Sequence, residues 1–431
     1  MKSVCLFFHA HQPFRHRRYR FFDIGNDNYY YDDCSNETIT KKAAETSYLP
    51  TNELLLKLIK KHKGKFKISF SITGLALEQF ELYSPEVIES FKKLALTGCV
   101  EFLSENYYHT LSALKNPEIF EKQVKLYEER IWGLFGQKPK IFRNTEMIYS
   151  DEIGALVTKM GYKGIITEGA LHVQGCESPN FVYVNAIRPS MKIMMRNFEL
   201  SDCISAHFST ANRPEVPLTA EKYINRLEKT EKEEKVVNLF LNYELFGEHQ
   251  KENDIFNFLE NLAALVVKKP ILKFATPSEI IEELQPHSLI NVPNPISWAE
   301  EERDLSAWLG NDMQKEAYNK LYSFSEKMEK CSDVELQKDW NYLQASCNFY
   351  NMSTKNPVSR QNRLNPFGTP YEAFINYMNI LSDFKIRLNT FMPENEIEKE
   401  IASLYKLVYE KEKKIKKMGK ELLRLKIRTV S

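Results

Sequence analysis

Glu146 stands in Arg143-Asn144-Thr145-Glu146, directly after the short apolar run Lys140-Ile141-Phe142. A carboxylate just beyond a strand end, with an arginine in the wall beside it to keep it ionised, can attack a glycosidic carbon or act as a general base. The competing reading is a structural ion pair. A second polar burst follows the strand-like run Val236 to Leu241, in Asn242-Tyr243-Glu244-Leu245-Phe246-Gly247-Glu248-His249-Gln250. Asn242 is the first side chain past that run, and an amide there can neither donate nor accept a proton near neutral pH. His9-x-His11, at the end of the first apolar run, puts two imidazoles on one face of an extended chain. Such a pair can hydrogen-bond a polar substrate or bind a metal with His109, Asp202 or His207 as a third ligand, although the spacing matches no compact zinc signature. A core histidine with satisfied hydrogen bonds is the plain alternative for His9.

Tyr107-Tyr108-His109, Tyr149, Tyr243 and Phe246 offer flat aromatic faces near Glu105, Glu146 and His249. That combination suits a pyranose ring, which has an apolar C–H face and a rim of hydroxyls. Packing in the core is the ordinary use of such aromatics.

These residues need a scaffold that brings strand ends together. Val4 to Phe8, Lys67 to Ile72, Val100 to Leu103, Ile141 to Arg143, Gly164 to Thr167, Val236 to Leu241 and Ile271 to Ala275 read as strands. Between them, Thr51 to Lys61, Ser84 to Leu96, Glu118 to Leu134, Asp151 to Met160 and Asp254 to Val267 carry apolar residues at helical spacing. Repeated strand then helix implies an α/β fold with a parallel sheet. Seven strands favour an incomplete barrel, in which loops at the C-terminal strand ends meet on one face.

The strand signal stops after Pro293-Asn-Pro295. The expected units are therefore residues 1–290 as the α/β body, 291–392 as a helical region packed on it, and 393–431 as a terminal helix. That helix has apolar residues at 397, 401, 404, 408, 415, 418, 422 and 425, a heptad seam with Lys411 in its one gap. Its plain reading is a solvated helix lying on its own domain; the alternative is a homo-oligomer joined by a coiled coil.

Composition narrows the function classes. The 431 residues are 43% hydrophobic and carry a net charge of +1, so nothing draws the chain to nucleic acid or an anionic surface. Phosphate-binding glycine loops, a serine-nucleophile elbow and an apolar run long enough to span a membrane are all missing from the sequence. Seven cysteines without CxxC spacing suit a reducing compartment, and the N-terminal run is too short for a signal peptide, so the expected location is cytoplasmic.

Five stretches in order resemble glycoside hydrolase family 57, specifically its α-amylase-like branch: His9-Ala-His11-Gln12-Pro13; Gly98 to His109; Phe142 to Glu146; Asn242 to Gln250; and Ala275-Thr276-Pro277-Ser278-Glu279. Ser297-Trp298 and Leu305 to Asn311 follow. The resemblance implies an incomplete (β/α)7 TIM-like barrel followed by a helical C-terminal region. It also implies a retaining mechanism on α-glucans or maltooligosaccharides, with no metal or other cofactor. By position Glu146 corresponds to the nucleophile. His11, Glu105, His109 and His249 correspond to residues lining sugar subsites, with Trp298 reaching in from the helical region. His9, Gln12, Tyr107, Arg143, Tyr243, Glu244 and Phe246 complete the expected substrate-binding set.

The departure is Asn242, which stands where fully active members carry the aspartic acid that serves as acid/base. Glu244 and Glu248 are the neighbours that could replace it. A second difference lies in Asp202-Cys203 to His207, where a related pattern has an acid at 203 and an arginine at 207. Three readings follow: a retaining α-glucan hydrolase with an impaired acid/base, a non-catalytic α-glucan-binding protein, or a metal-dependent hydrolase built on His9 and His11.

Overall fold

Strand β1 (Lys2–Ala10) is the axis of the protein, a nine-residue run buried on both faces, and three parallel neighbours share it. The computed structural model describes residues 1–170, 178–208, 218–247, 254–355 and 366–430. On one side of β1 lies β2 (Ile68–Ile72), followed by β3 (Val100–Phe102). On the other lies β8 (Val236–Asn242), while β9 (Leu272–Phe274) pairs only with residues 2–4 at the lower end of β1. A second sheet runs β10 (Leu289–Ile290), β6 (Val182–Asn185), β7 (Lys192–Arg196), β5 (Gly164–Glu168), β4 (Ile141–Arg143).

The two sheets meet along two seams. At one, Ser104 bridges Phe142 in parallel register, with Ser104 N–H to the Ile141 carbonyl at 2.9 Å and Arg143 N–H to the Ser104 carbonyl at 2.8 Å. At the other, Asn197 N–H reaches the Asn238 carbonyl at 2.9 Å, and the Asn238 amide returns a 2.8 Å bond to the Met195 carbonyl. Asn238 is buried mid-strand, and this bond satisfies its donor.

Strand alternation then sorts the side chains. Cys5, Phe7, Ile141, Ile166, Met194 and Phe240 form one apolar cluster between the sheets. One step further along the same faces come His9, Arg143, Glu168, Arg196 and Asn242. A polar layer thus lies on top of an apolar plug. The opposite faces, including Val4, Leu6, Phe8 and Leu241, pack beneath the helices.

Local signals explain where the helices begin and end. Asn116 accepts bonds from Glu118 N–H and Ile119 N–H to start Pro117–Phe135, which stops at Gly136 with φ +66°. Ser150 caps Asp151–Lys159, and Thr276 with Glu279 forms a capping box on Pro277–Glu283. Glu101, on β3, accepts bonds from the Ser278 hydroxyl (2.5 Å) and Ser278 N–H (3.0 Å), fixing that last helix beneath the strands.

The sequence expectation of seven strands meets ten among the described residues. The additions are the antiparallel hairpin of β6 and β7 and the two-residue β10. Lys-Ile-Met-Met-Arg carries only one β-branched residue, so propensity did not flag β7. The helical region shares a single apolar cluster with the strands: Phe142, Tyr149, Ile165 and Ile193 join Trp308, Trp340, Phe349 and Phe384. Within the described residues, no helix is long and apolar enough to cross a membrane.

Gly247 pins the loop after β8 against the segment Ala44–Tyr48. Its φ is +117°, and a Cβ built there would sit 1.8 Å from the Thr46 carbonyl oxygen. Gly98 also has a positive φ, +69°, but open space around it. Gly247→Ala should therefore lose about 1–3 kcal/mol more stability than Gly98→Ala in denaturant unfolding. Equal losses would mean that the close approach to Thr46 is absent.

Candidate active site

The site is assembled from the polar ends of β1, β3 and β4 and from two segments of the helical region. Arg143 is fully buried, and its Nη1 donates to His9 Nε2 at 3.1 Å and to Glu105 Oε2 at 3.3 Å. Ser71, on β2, donates to the other Glu105 oxygen at 2.5 Å. Accepting from a guanidinium requires His9 to be neutral at Nε2. Burial, then the Arg143 charge, pushes its pKa down to about 4. Burial alone raises the Glu105 pKa, but His9, His109 and Arg143 together hold it well below the usual carboxylate range.

His109 links the two carboxylates. Its Nε2 is 3.0 Å from Glu146 Oε1 and its Nδ1 is 3.8 Å from Glu105 Oε2. Burial opposes the imidazolium, yet the two carboxylates prevail and the pKa rises above 6.5. His11 stacks on His109 at 4.1 Å between ring centroids. Burial and then the His109 charge keep His11 well below 6.5, so one imidazolium faces two neutral rings. Thr73 Oγ1 lies 3.0 Å from His11 Nδ1 and also accepts from Ala76 N–H. The Thr73 hydroxyl proton is then free for Nδ1, which assigns the His11 proton to Nε2. That Nε2 is buried without a partner among the described residues.

Glu146 is held at both oxygens. Oε1 accepts from His109 and, at 3.3 Å, from the Ser346 hydroxyl; Oε2 accepts from Trp298 Nε1 at 2.7 Å. Burial is again the largest influence and raises the pKa, but His109, Arg143 and Trp298 bring it down to about 2. The backbone carries strain, because Glu146 and Met147 are consecutive non-glycine residues at φ +54° and +53°. Each costs on the order of 1–3 kcal/mol. Three bonds resist relaxation: Met147 N–H to the Asn144 carbonyl, Ile148 N–H to the Thr145 carbonyl, and the Asn144 amide to the Ile148 carbonyl. His109 and Arg303 share the left-handed region, so strain collects at this site.

A second ion network supports Trp298. Arg196 pairs with Glu168 (3.3 Å) and Asp202 (2.5 Å), and Arg303 with Asp202 (3.3 Å). Arg303 also donates to the Trp298 carbonyl at 2.7 Å. Sequence reasoning missed Arg196, Arg303 and Ser346, and considered Asp202 as a metal ligand. His207 is likewise engaged elsewhere, its Nε2 accepting from Leu218 N–H at 3.0 Å.

Asn242 is exposed at the end of β8, in register with His9 and therefore on the same face. Glu244 lies in the turn Tyr243–Leu245 that follows, its Oε1 accepting from the Tyr48 hydroxyl (2.6 Å) and His11 N–H (3.0 Å). Four expected substrate contacts occupy other places. Tyr243 and Phe246 are buried against Phe8, and the Tyr243 hydroxyl bonds Asn52. Alternation after Asn242 sends Tyr243 to the outer face. Tyr107 lies in the same core, its ring resting on Gly74. Gln12 is buried between Tyr48 and Arg15, each 3.0 Å away. His249 and Glu248 lie outside the described residues.

Among the described residues, the group able to hold a metal is His9, Glu105 and His109; His11 is not part of it. A cation does not fit that group. Arg143 already occupies His9 Nε2 and Glu105 Oε2, and its buried charge would lie against the ion.

Comparison with known proteins assigns this geometry to a class. The sequence profile described as "Glycosyl hydrolase family 57" matches residues 5–293, which hold every strand-borne residue of the site. The chain is 37% identical over 408 residues to the "Putative alpha-amylase" of Methanocaldococcus jannaschii, covering 91% of this chain and 86% of that protein. It belongs to glycosyl hydrolase family 57. Its fold resembles the GH57-type branching enzyme of Pyrococcus horikoshii, with TM-score 0.66, 14% identity and 94% of each chain covered. It also resembles the 4-α-glucanotransferase of Thermococcus litoralis, with TM-score 0.59 and 17% identity; 92% of this chain is covered, and the match spans 61% of that enzyme's length.

The shared proton network fixes the pH behaviour. The folded-state pKa of Glu146 is depressed, so its contribution to stability is complete above 4.5 and is lost as pH falls to about 2. The pKa of His109 is raised, so its contribution is complete below 6.5 and is lost as pH rises through the higher folded value. In imidazole NMR titrations His109 should titrate above 6.5 and His9 near 4. Glu146→Gln should lower the His109 midpoint by about 1–3 units. An unmoved midpoint would contradict the pairing.

Proposed function

We propose that this family 57 chain is a retaining α-glucan hydrolase, with Glu146 as nucleophile and its activity impaired by Asn242 in the acid/base position. In this reading β1 to β5, β7 and β8 form an incomplete (β/α)7 barrel, whose polar upper layer is the floor of a sugar cleft. The observation that carries it is the state of Glu146: an anion fixed at both oxygens by His109 and Trp298, on a strained backbone. A nucleophilic carboxylate has to be ionised and pre-positioned, and this one is both. His11 Nε2, buried and unpartnered among the described residues, is the donor for a sugar hydroxyl.

The amide at 242 sets the limit on catalysis. Retaining hydrolysis needs a second carboxyl group to protonate the departing oxygen and later activate water. Losing such assistance costs about 10²- to 10⁴-fold, and the loss falls hardest on poor leaving groups such as a sugar hydroxyl. In this reading Glu244 is not its replacement, since its Oε1 accepts from Tyr48 and His11, and Glu248 lies outside the described residues. The same observation supports the second reading, a protein that binds α-glucan without turning it over.

An α-glucosyl fluoride or an activated aryl maltooside separates the two readings, since its leaving group needs no proton. The catalytic reading predicts a covalent adduct on the peptide carrying Glu146 by mass spectrometry, absent in Glu146→Gln. It also predicts that Asn242→Asp raises kcat/KM on maltooligosaccharides by about 10²- to 10⁴-fold. No adduct and no gain, with maltooligosaccharide still bound, would leave the binding reading.

A further inference from the structure

The helix Glu396–Val430 spans 35 residues, about 50 Å of rise. Its first turns are tied to the body. Glu398 meets Lys327 at 3.5 Å and the Asn389 amide at 3.0 Å, and the Tyr405 hydroxyl lies against Gly25. Along the described seam Ile397, Leu404, Val408, Ile415, Met418 and Leu422 are nevertheless each more than half exposed, and Ile401 is 44% exposed. The plain expectation, a helix lying on its own domain, is met only at its beginning.

A seam with spacing 4-3-4-3 fits one kind of cover, a second helix of the same period wound around it. The charges say which way that helix runs. Residues 396–410 carry Glu396, Glu398, Glu400 and Glu410 against Lys399 and Lys406; residues 411–430 carry nine Lys and Arg against Glu412 and Glu421. A parallel copy would set basic half against basic half, and Lys411 against the partner's Lys411 in the seam. An antiparallel copy sets the acidic half beside the basic half. It also places Lys411 level with the partner's Ile415, Leu404 level with the partner's Leu422, and Val408 level with the partner's Met418.

We propose that two copies of this chain associate through Glu396–Val430 as an antiparallel coiled coil. The seam from 401 to 425 supplies more than three heptads, the length at which such pairing becomes stable. The pairing leaves the glycosidase site untouched and is independent of its function.

Sedimentation velocity of the full chain at micromolar concentration should give twice the chain mass. Leu404→Glu with Ile415→Glu should return a monomer, raising the dissociation constant at least about a hundredfold. Both positions are exposed, so that monomer should still melt cooperatively, with a midpoint lowered only by the lost association. In the chain carrying Leu404→Cys and Leu422→Cys, oxidation should yield an interchain peptide joining 404 to 422. A monomeric parent chain, a dimer that survives the paired glutamates, or a 404-to-404 linkage would each overturn the proposal. So would a monomer that instead pellets with phosphatidylserine vesicles.

Discussion

The guanidinium of Arg143 sets the charge order of the whole site. Fully buried at the end of β4, it forces His9 to stay neutral and Glu105 to stay ionised, because both accept from the same nitrogen. Glu105 and Glu146 then share the His109 imidazolium, and Trp298 closes the far oxygen of Glu146. Removing any one charge would leave another buried without compensation, at a cost of about 3–5 kcal/mol. The arrangement therefore exists as a unit. Its donors come from strands whose register is fixed by the two seams, so the charge order and the closure of the sheets depend on each other.

The helical region completes this unit. Trp298 and Ser346 both reach Glu146, and Ser346 N–H bonds the His109 carbonyl at 2.8 Å. The Glu168, Asp202, Arg196 and Arg303 network holds the Trp298 loop from the other side. Strain at His109, Glu146 and Arg303 fits the same picture, since each is clamped by contacts from more than one segment. Apolar packing shared between strands and helices supplies the energy that such clamping requires.

Much of this was legible in the chain. Apolar runs located β1 to β5, β8 and β9 to within a few residues, and apolar residues at helical spacing located the helices between them. The clustering of Glu105, His109, Arg143 and Glu146 followed from strand ends that face one mouth. Three kinds of feature were not legible. β7 is methionine-rich and short, so the strand that carries Arg196 gave no signal. Ser346 is an ordinary serine whose role depends on a tertiary contact two hundred positions away. Tyr107, Tyr243 and Phe246 were assigned to the sugar because aromatics suit it, but one step of strand alternation, or one glycine beneath a ring, sent them to the core.

Asn242 is the place where fold and chemistry separate. Its register with His9 keeps it on the face of the site, and it is exposed there, an amide at the position that the proposed mechanism gives to the acid/base. The most direct test is a crystal structure of the chain with a bound maltooligosaccharide. The account predicts an anomeric carbon about 3–3.5 Å from a Glu146 oxygen, with the glycosidic oxygen turned toward Asn242. A sugar seated away from both residues, or an Asn242 side chain on the far side of the cleft wall, would contradict it.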